Sequence, residues 1–280
     1  MDAFRRLCFV DVSDWTPSSP EWQRLMLQLP ATEQKQVKRF VFAKDQNLAL
    51  ASRLLQRHLI HHLFHVNYDT IEIKRTPEGK PYWRRPSGHL SPPAWNYNVS
   101  HHGTIVAIAS DAHALVGVDV VRCTDRPHRK TSSEEFFRAF ADHFNPREWE
   151  FIHGVADEDV QYNRFYRLWS LKEAYIKAVG VGLGFSLFRA EVFQETPTQW
   201  GLLLDGQRAI DWQFMCTQVD SSHLVSVAYG PVSAMWKPET SSLFPSAASF
   251  ANAVSAVSLG ESKGRAAWQQ WSLQDLLRSP

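Results

Sequence analysis

Short apolar runs alternate with stretches of helical periodicity through the first 230 residues of the chain. The longest helical pattern covers residues 32–63, with a break predicted near Lys44, and a second long helix is predicted over 162–179. Helices and strands mixed in this way are typical of an α/β or α+β fold. Shorter helices are predicted at 21–29, 133–141 and 146–152, and strands at 7–12, 71–73, 96–109, 114–121, 187–193, 200–204, 211–216 and 223–229.

The order of these elements divides the chain into three parts. Helices followed by strands occur twice, which predicts an N-terminal lobe over 1–115 and a C-terminal lobe over 116–232. The remainder, 233–280, is predicted to be a loosely held low-complexity tail, in which 239–264 is rich in Ser and Ala. Residues 265–277 carry two tryptophans and favour a short helix.

Composition and charge narrow the class of protein. The 280 residues are 44% hydrophobic and 21% charged, which fits a folded protein and excludes wholesale disorder. A formal charge of +1 argues against a dedicated nucleic-acid or membrane-surface binder. The three cysteines, Cys8, Cys123 and Cys216, predict neither a disulfide framework nor a zinc knuckle. Because no apolar run reaches about 18 residues and the start is not leader-like, we expect a cytoplasmic protein.

The segment WSLKEAYIK, residues 169–177, carries the strongest local signal for chemistry. On a helix, its Glu173 and Lys177 are neighbours four residues apart. One interpretation is a surface ion pair worth roughly a few tenths of a kcal/mol. The other follows from the apolar and aromatic residues around the pair, since a carboxylate held beside a lysine in such a surface suits metal binding or proton transfer.

Two further polar segments allow both a functional and a structural interpretation. Asp119 lies near the end of the apolar strand LVGVDVV, where a carboxylate is costly to bury unless it is paired, binds a metal or caps the next turn. The segment NYNVSHHG, residues 96–103, and the turn RTPEGKP, residues 75–81, are rich in polar and basic side chains. These side chains either grip phosphates together or form a solvated turn and a polar strand.

Four histidines, His58, His61, His62 and His65, recur at the spacing of zinc ligands on a helix. No glutamate lies within the cluster, as it does in the zinc-protease motif, so we interpret the histidines as one polar face of an amphipathic helix. A zinc hydrolase built on these residues is the alternative, and metal analysis would detect it.

Four motifs, taken in order, resemble those of the two-lobed 4′-phosphopantetheinyl transferases: RTPEGKP (75–81), NVSH (98–101), GVD (117–119) and WSLKEAYIK (169–177). Segments 144–152 and 180–185 are especially similar to the animal members that serve aminoadipate-semialdehyde dehydrogenase. The resemblance covers about residues 5–230. It implies two pseudo-symmetric α/β lobes, each a small sheet packed with helices, with coenzyme A and Mg²⁺ in the cleft between them.

The resemblance also implies the reaction and its residues. The enzyme moves 4′-phosphopantetheine from coenzyme A to a serine of an apo carrier protein and releases adenosine 3′,5′-bisphosphate. Asp119 and Glu173 are implied as ligands of Mg²⁺, an ion that binds through one or two carboxylates plus phosphates. Glu173 takes the serine proton, directly or through a water, and Lys177 bridges to the phosphate. These two residues and Asp119 are the implied catalytic set.

The resemblance to this family also implies which residues bind coenzyme A. Arg53, Arg75 and Lys80 are expected to hold its phosphates, with His101 on the 3′-phosphate. The full implied set is Arg53, Arg75, Thr76, Pro77, Glu78, Gly79, Lys80, Asn98, Val99, Ser100, His101, Asp119, Glu173 and Lys177.

One position departs from the bacterial pattern. Many bacterial members carry a third carboxylate where this chain has Val121. In animal-type members a polar side chain after the NVSH histidine fills the gap, and His102 holds that place here. Because imidazole is a poor Mg²⁺ ligand, the role of His102 stays open at this point.

The expected partners are apo acyl and peptidyl carriers of fatty acid synthases, aminoadipate reductases or synthetases, which makes the chain a holo-[acyl-carrier-protein] synthase. We expect a monomer, since the two lobes complete the cleft. The alternative is a non-catalytic coenzyme A or carrier-protein binding module of the same fold. The presence of Asp119, Glu173 and Lys177 favours the enzyme.

Overall fold

The computed structural model describes residues 4–127, 131–235 and 267–277. Helices and strands are mixed along this part of the chain, which confirms the predicted α/β class. The α-helices are α1 (Pro20–Leu27), α2 (Ala31–Lys38), α3 (Ala43–Phe64), α4 (Ser133–Arg138), α5 (Pro146–His153), α6 (Glu158–Val179) and α7 (Leu273–Leu277). The strands are β1 (Arg6–Asp11), β2 (Ile73–Arg75), β3 (Pro81–Trp83), β4 (Asn96–His102), β5 (Ile105–Asp111), β6 (Leu115–Arg122), β7 (Ala190–Thr196), β8 (Gln199–Leu204), β9 (Gln207–Arg208), β10 (Gln213–Gln218), β11 (His223–Gly230) and β12 (Gln269–Gln270).

Two sheets form the centre of the molecule. The first has the strand order β12-β1-β5-β4, and the second has the order β10-β11-β6. Apolar residues of β1 and β5 share one core cluster with residues of β6 and β11, among them Phe9, Ile105, Val118 and Val227. Two small sheets, β2-β3 and β7-β8-β9, complete the strand pairing of the described residues. The shared cluster holds the two central sheets together through burial of apolar area.

Each central sheet is covered by one long helix. On the first sheet, α3 buries Leu54 and Leu55 in a cluster with Val106 and Ile108 of β5. On the second, α6 packs closely on β6 and β11, and its core cluster extends to α5, β7 and β8. The long helices therefore lie on sheets that meet at the same apolar cluster.

Side chains of β4, not its backbone, join the first sheet to β6. Successive residues of a strand point to opposite faces, so every second residue of β4 can face its neighbour. The side chains of Asn96, Asn98, Ser100 and His102 accept hydrogen bonds, at 3.0, 3.0, 3.3 and 3.0 Å, from the backbone N–H groups of Val116, Val118, Val120 and Arg122.

The first predicted long helix is interrupted earlier than expected. Helix α2 ends at Lys38 and α3 begins at Ala43, so the break lies at residues 39–42, before Lys44. The stretch predicted as β-rich over 96–109 is a hairpin, which turns at Gly103 with a φ of +61°. Glycine reaches this φ without the steric cost that a Cβ brings.

Boundaries in the second half differ for local reasons. Helix α6 begins at Glu158 because the Asp157 side chain accepts hydrogen bonds from the N–H groups of Asp159 and Val160. The strand predicted from residue 187 begins at Ala190, after a 3₁₀ turn. The pairs of antiparallel strands that follow agree with the predicted segments to within a few residues.

The Ser/Ala-rich stretch predicted at 239–264 lies outside the described residues. Residues 267–277 pack against the first sheet and its helices. Strand β12 pairs with β1 in parallel, and the N–H of Trp271 donates to the carbonyl of Phe9 at 2.8 Å. In α7, Leu276 is buried among residues of the core around α3. No helix among the described residues is long and apolar enough to span a membrane.

Candidate active site

Gly117 sets the distance between β6 and α6. A Cβ on this residue would lie 2.1 Å from the carbonyl oxygen of Ala174 and 2.2 Å from the backbone nitrogen of Ala178. Only a residue without a side chain lets the helix backbone approach the strand this closely. Asp119 follows Gly117 on the same face of β6, and the two candidate catalytic residues of α6 directly precede the two alanines. The contact therefore brings all three candidate residues together.

Lys177 and Asp119 form the ion pair at the centre of this contact. The Lys177 Nζ lies 2.5 Å from Oδ1 of the buried Asp119. The Oγ of Ser100 accepts a second hydrogen bond from Lys177 at 2.9 Å and donates to Asp119 at 3.3 Å. Lys177 thus pairs across the helix–strand contact, and its interpretation as the partner of Glu173 in a surface ion pair is wrong.

Glu173 lies half-buried beside this pair. Burial raises the pKa of its carboxyl group, and the negative charge of Asp119 raises it further, while Lys177 opposes the shift. Two carboxylates that repel each other favour a bound divalent cation, and their oxygen donors suit Mg²⁺. The described residues contain no group of three His, Cys, Asp or Glu side chains able to hold a metal. The two carboxylates supply oxygen atoms of the kind that Mg²⁺ binds together with substrate or water oxygens.

A group of cations lies next to the carboxylates. Burial lowers the pKa of Arg53, and the nearby positive charge of Arg75 lowers it further. Burial also lowers the pKa of His101, with further lowering by the charges of Lys177 and Arg75. The two arginine cations attract a polyanion such as a phosphate group, and the negative charge of a bound phosphate would favour the protonated ring of His101. Arg75 acts electrostatically on both Arg53 and His101, so the three side chains lie near one another, and their binding of phosphates stays a prediction.

The predicted turn at residues 75–81 is a tight hairpin between β2 and β3. The N–H of Gly79 donates to the carbonyl of Thr76 at 2.9 Å, and the N–H of Lys80 donates to Thr76 Oγ1 at 3.2 Å. Gly79 has a φ of +95°, which favours glycine. Arg75 donates to the carbonyl of Gly79 at 2.7 Å, and Pro77 is exposed. The turn is therefore rigid before any ligand arrives.

Glu78 and Lys80 reach from this turn to the end of α6. The Cβ of Glu78 lies 3.3 Å from the position that a Cβ on Gly182 would take. The Nζ of Lys80 donates to the carbonyl oxygens of Val116, at 3.1 Å, and Ala178, at 2.6 Å. Burial lowers the pKa of Lys80 to about 7, and the C-terminal carbonyls of a helix favour a nearby cation. Lys80 therefore links the turn to β6 and α6, whereas the sequence predicted a phosphate ligand.

Within the segment 98–101 the side chains divide by face. Asn98 and Ser100 are buried and belong to the row of side chains that binds β6, so their side-chain oxygens already accept hydrogen bonds from that strand. Val99 packs against the core around α3. His101 is exposed. Its side chain lies on the outward face of this segment, within electrostatic range of Arg75 and Lys177. Asn98 and Ser100 thus hold β4 against β6, the strand that carries Asp119.

The position left open by Val121 is apolar in the structure. Val121 is buried in a small cluster with Cys123 and Leu224. Both ring nitrogens of His102 are engaged, since Nδ1 accepts from the N–H of Arg122 at 3.0 Å and Nε2 lies 3.3 Å from a carboxylate oxygen of Asp125. His102 therefore supports the β4–β6 junction and has no free nitrogen for a metal.

The histidines on α3 have structural contacts. His61 Nδ1 lies 2.8 Å from the carbonyl oxygen of Val66, and the ring of His58 packs edge-on against Trp271 at 4.6 Å between centroids. Burial and the neighbouring histidines lower the pKa of His58 to about 4, which keeps its ring neutral. His65 ends the helix in a left-handed conformation. These contacts agree with a packed helix face.

Lys172 is a residue whose importance the sequence reading missed. It directly precedes Glu173, but its Nζ is fully buried on the other side of α6 and bonds Glu148 Oε2 at 2.6 Å and the carbonyl of His143 at 2.7 Å. Glu148 also accepts from the N–H of Val192 at 2.8 Å. The available signal was the capping box at the start of α5, which places Glu148. This pair fastens α5 and β7 to the helix that carries the site.

Paired carboxylates beside a lysine and a cluster of arginine and histidine suit the metal-assisted transfer of a phosphate-linked group. The comparisons with known proteins name the family. The chain belongs to the 4′-phosphopantetheinyl transferase superfamily. A model described as "4′-phosphopantetheinyl transferase, N-terminal" matches residues 13–113, and a model of the superfamily matches residues 115–228. Both the resemblance stated from the motifs and the predicted function are confirmed.

Two relatives with established names, both matched by sequence, support this membership. The L-aminoadipate-semialdehyde dehydrogenase-phosphopantetheinyl transferase of Mus musculus is 38% identical over 227 residues, which cover 76% of this chain and 71% of that protein. A phosphopantetheinyl transferase from Thraustochytrium sp. is 38% identical over 222 residues, covering 78% and 75%. A crystal structure of Thermotoga maritima holo-[acyl-carrier-protein] synthase matches with a TM-score of 0.31 and 17% identity, covering 42% of this chain and 64% of that one.

The family function follows from this membership. The chain is a phosphopantetheinyl transferase, which transfers phosphopantetheine to carrier proteins. Members of the family use coenzyme A and a divalent metal. The site at the β6–α6 contact has the residue types that these two ligands require.

Proposed function

We propose that this chain transfers 4′-phosphopantetheine from coenzyme A to the target serine of apo acyl or peptidyl carrier proteins, using Mg²⁺ held by Asp119 and Glu173 and releasing adenosine 3′,5′-bisphosphate. The observation that carries the proposal is the ion pair between Lys177 and Asp119 with Glu173 beside it. Two carboxylates and an ammonium group at one point match the needs of a metal-bound phosphate under nucleophilic attack.

The roles of these residues follow from their charge and surroundings. When bound, Mg²⁺ would neutralise the pyrophosphate and stabilise the charge that develops on the leaving phosphate. Glu173 accepts the serine proton, directly or through a water; the route through a water is chemically easier, because a carboxylate bound to Mg²⁺ is itself a poor base. Lys177, which is paired with Asp119, supplies positive charge to the transferred phosphate.

Coenzyme A binding is assigned to the cations beside the carboxylates. Arg53 and Arg75 supply charge-assisted hydrogen bonds to its phosphates, and the ring of His101 donates a further hydrogen bond to the 3′-phosphate. The backbone of the 75–81 turn contributes a rigid edge to this site. Lys80 anchors the turn through its hydrogen bonds to backbone carbonyl oxygens of β6 and α6.

The names of the relatives indicate which class of carrier protein is the substrate. We infer that aminoadipate-reductase-type carriers are substrates, because the animal relatives are named for that partner. Fatty-acid and synthetase carriers are included, which makes the chain a holo-[acyl-carrier-protein] synthase as well. The three cysteines are free, which suits the reducing cytoplasm. We propose that the protein acts as a monomer, because the two lobes already complete the cleft.

The experiment is a mass spectrum of each apo carrier after incubation with the protein, coenzyme A and Mg²⁺. A gain of about 340 Da on the carrier, the mass of the phosphopantetheine moved in the metal-assisted reaction, is expected. No gain on any carrier, while coenzyme A still binds, would overturn the proposal in favour of a binding module.

A further inference from the structure

Three consecutive apolar side chains are exposed in the turn between α2 and α3. Phe40, Val41 and Phe42 have 44, 87 and 64% of their surface accessible. Other large apolar residues that are exposed in the described ranges, such as Leu90 and Ile210, stand singly along the chain. Single exposed apolar residues are normal on protein surfaces, but a contiguous group marks an interaction site. We name residues 40–42 the apolar turn.

The backbone of the apolar turn is held in place. The side-chain amide of Gln46 donates to the carbonyl of Phe40 at 2.8 Å, and the N–H of Asp45 donates to the carbonyl of Phe42 at 3.0 Å. On the other side, the N–H of Phe40 donates to the carbonyl of the buried Val37. The three side chains are therefore presented by a fixed turn, which reduces the entropy lost on binding.

Both ends of the apolar turn border the active site. On the α2 side, the side-chain oxygen of Gln36 accepts a hydrogen bond from Arg53 at 3.0 Å. On the α3 side, the carboxylate of Asp45 acts on His101 and opposes the lowering of its pKa. Arg53 and His101 belong to the cations assigned above to coenzyme A. A macromolecule seated on the turn would thus lie beside Arg53 and His101, and His101 is within electrostatic range of Lys177.

Positive charge surrounds the apolar turn. Within ten residues, the exposed side chains include Lys35, Lys38, Arg39 and Lys44. Apolar side chains ringed by cations complement a partner surface that is apolar at its centre and acidic at its rim.

We propose that the apolar turn docks the carrier protein substrate, through an apolar, acid-rimmed helix face of the carrier near its target serine. The inference rests on the proposed function, because the enzyme must hold a protein whose serine reaches Glu173. The serine alone offers too small a surface for a specific protein complex, so further contacts beside the site are needed. The apolar turn supplies them at the border of the coenzyme A cations.

The test measures steady-state transfer to an apo carrier by Val41→Asp and Phe42→Asp variants, with coenzyme A affinity determined separately by calorimetry. We expect the KM for the carrier to rise by about tenfold or more, as for a charge buried at an interface centre, while the Kd for coenzyme A stays unchanged. The Ile210→Asp variant, which alters an isolated residue with 77% exposure, is the matched control and should leave the carrier KM unchanged.

Two results would overturn the docking proposal. An unchanged carrier KM in both variants would show that the carrier binds elsewhere. A rise in the Kd for coenzyme A that matches the rise in carrier KM would assign the turn to the nucleotide. Failure of the unaltered protein to modify any carrier is distinguishable from both, because it removes the proposed function itself and the docking with it.

Discussion

Lys177 and Asp119 are 58 residues apart in the sequence, and their side chains lie 2.5 Å apart across the contact between α6 and β6. The two side chains are in contact because helix and strand approach closely at Gly117. The chemistry of the site therefore depends on a packing contact that itself contains no reactive group.

The first prediction tests that contact. In a Gly117→Ala variant the new methyl group would overlap backbone atoms of α6, which cannot move as a side chain can. We expect a loss of about 1–3 kcal/mol in the free energy of unfolding and a larger loss of transfer activity, since α6 must shift away from Asp119. Urea unfolding and a transfer assay measure both. Gly184→Ala is the control, because a Cβ there meets no atom within 4 Å; equal effects in the two variants would contradict the account.

The second prediction concerns the charge on Glu173. Its raised folded-state pKa means that the folded protein holds this proton more tightly than the unfolded chain, so stability from the group is present at low pH and is lost as pH rises through the folded pKa. In EDTA at pH 7, Glu173→Gln should therefore be more stable than the unaltered protein. The difference should vanish in acid.

Added Mg²⁺ should reverse that order. It is expected to raise the Tm of the unaltered protein and to leave Glu173→Gln nearly unchanged, because a ligand that binds the folded state stabilises it. Thermal unfolding with and without Mg²⁺ at several pH values makes both comparisons. Equal stability at pH 7 in EDTA would contradict the repulsion between Glu173 and Asp119.

The third prediction separates Lys172 from its neighbour Glu173. Lys172→Met leaves the buried carboxylate of Glu148 without its cation, and we expect a loss of about 3–5 kcal/mol in the free energy of unfolding. The double variant Lys172→Met/Glu148→Gln should recover part of the loss. Lys177→Met, at a partly exposed pair, should cost less stability but more activity. Denaturant unfolding distinguishes these outcomes, and a stable Lys172→Met protein would refute the structural role.

The fourth prediction concerns Ser100, which contacts both members of the central ion pair. Ser100→Ala should lower kcat by about tenfold, because Lys177 and Asp119 lose the hydroxyl that aligns them, and should cost about 1 kcal/mol of stability. Val99→Ala, on the opposite face of the same strand, should cost stability without a comparable effect on kcat. A kcat for Ser100→Ala equal to that of the unaltered enzyme would exclude the aligning role.

Periodicity predicted the long helices and most strands, because the core around α3 and α6 is built from regularly spaced apolar residues. The motifs predicted that Asp119, Glu173 and Lys177 lie close together, and the structure places them so. What they could not predict is the direction of each side chain. Lys80 lies in a motif associated with phosphates but bonds the carbonyls of Val116 and Ala178, a contact that exists only after the two halves have packed.

The row of side chains along β4 shows the same limit. The alternation of polar residues in NYNVSHH indicates one polar face of a strand. A polar face facing solvent and a polar face that binds the backbone of β6 have the same pattern in sequence. The structure distinguishes them, because Asn98 and Ser100 are buried and their acceptors are engaged by β6.

The most direct test of the whole account compares holo-carrier formation by the unaltered protein, Asp119→Ala and Glu173→Gln at a series of Mg²⁺ concentrations, with folding checked by circular dichroism. We predict Mg²⁺-dependent transfer by the unaltered protein and a loss of at least about 100-fold in each folded variant, since each removes one of two metal ligands. Transfer at near-unaltered rates by both variants would contradict the placement of the metal and the chemistry between Asp119 and Glu173.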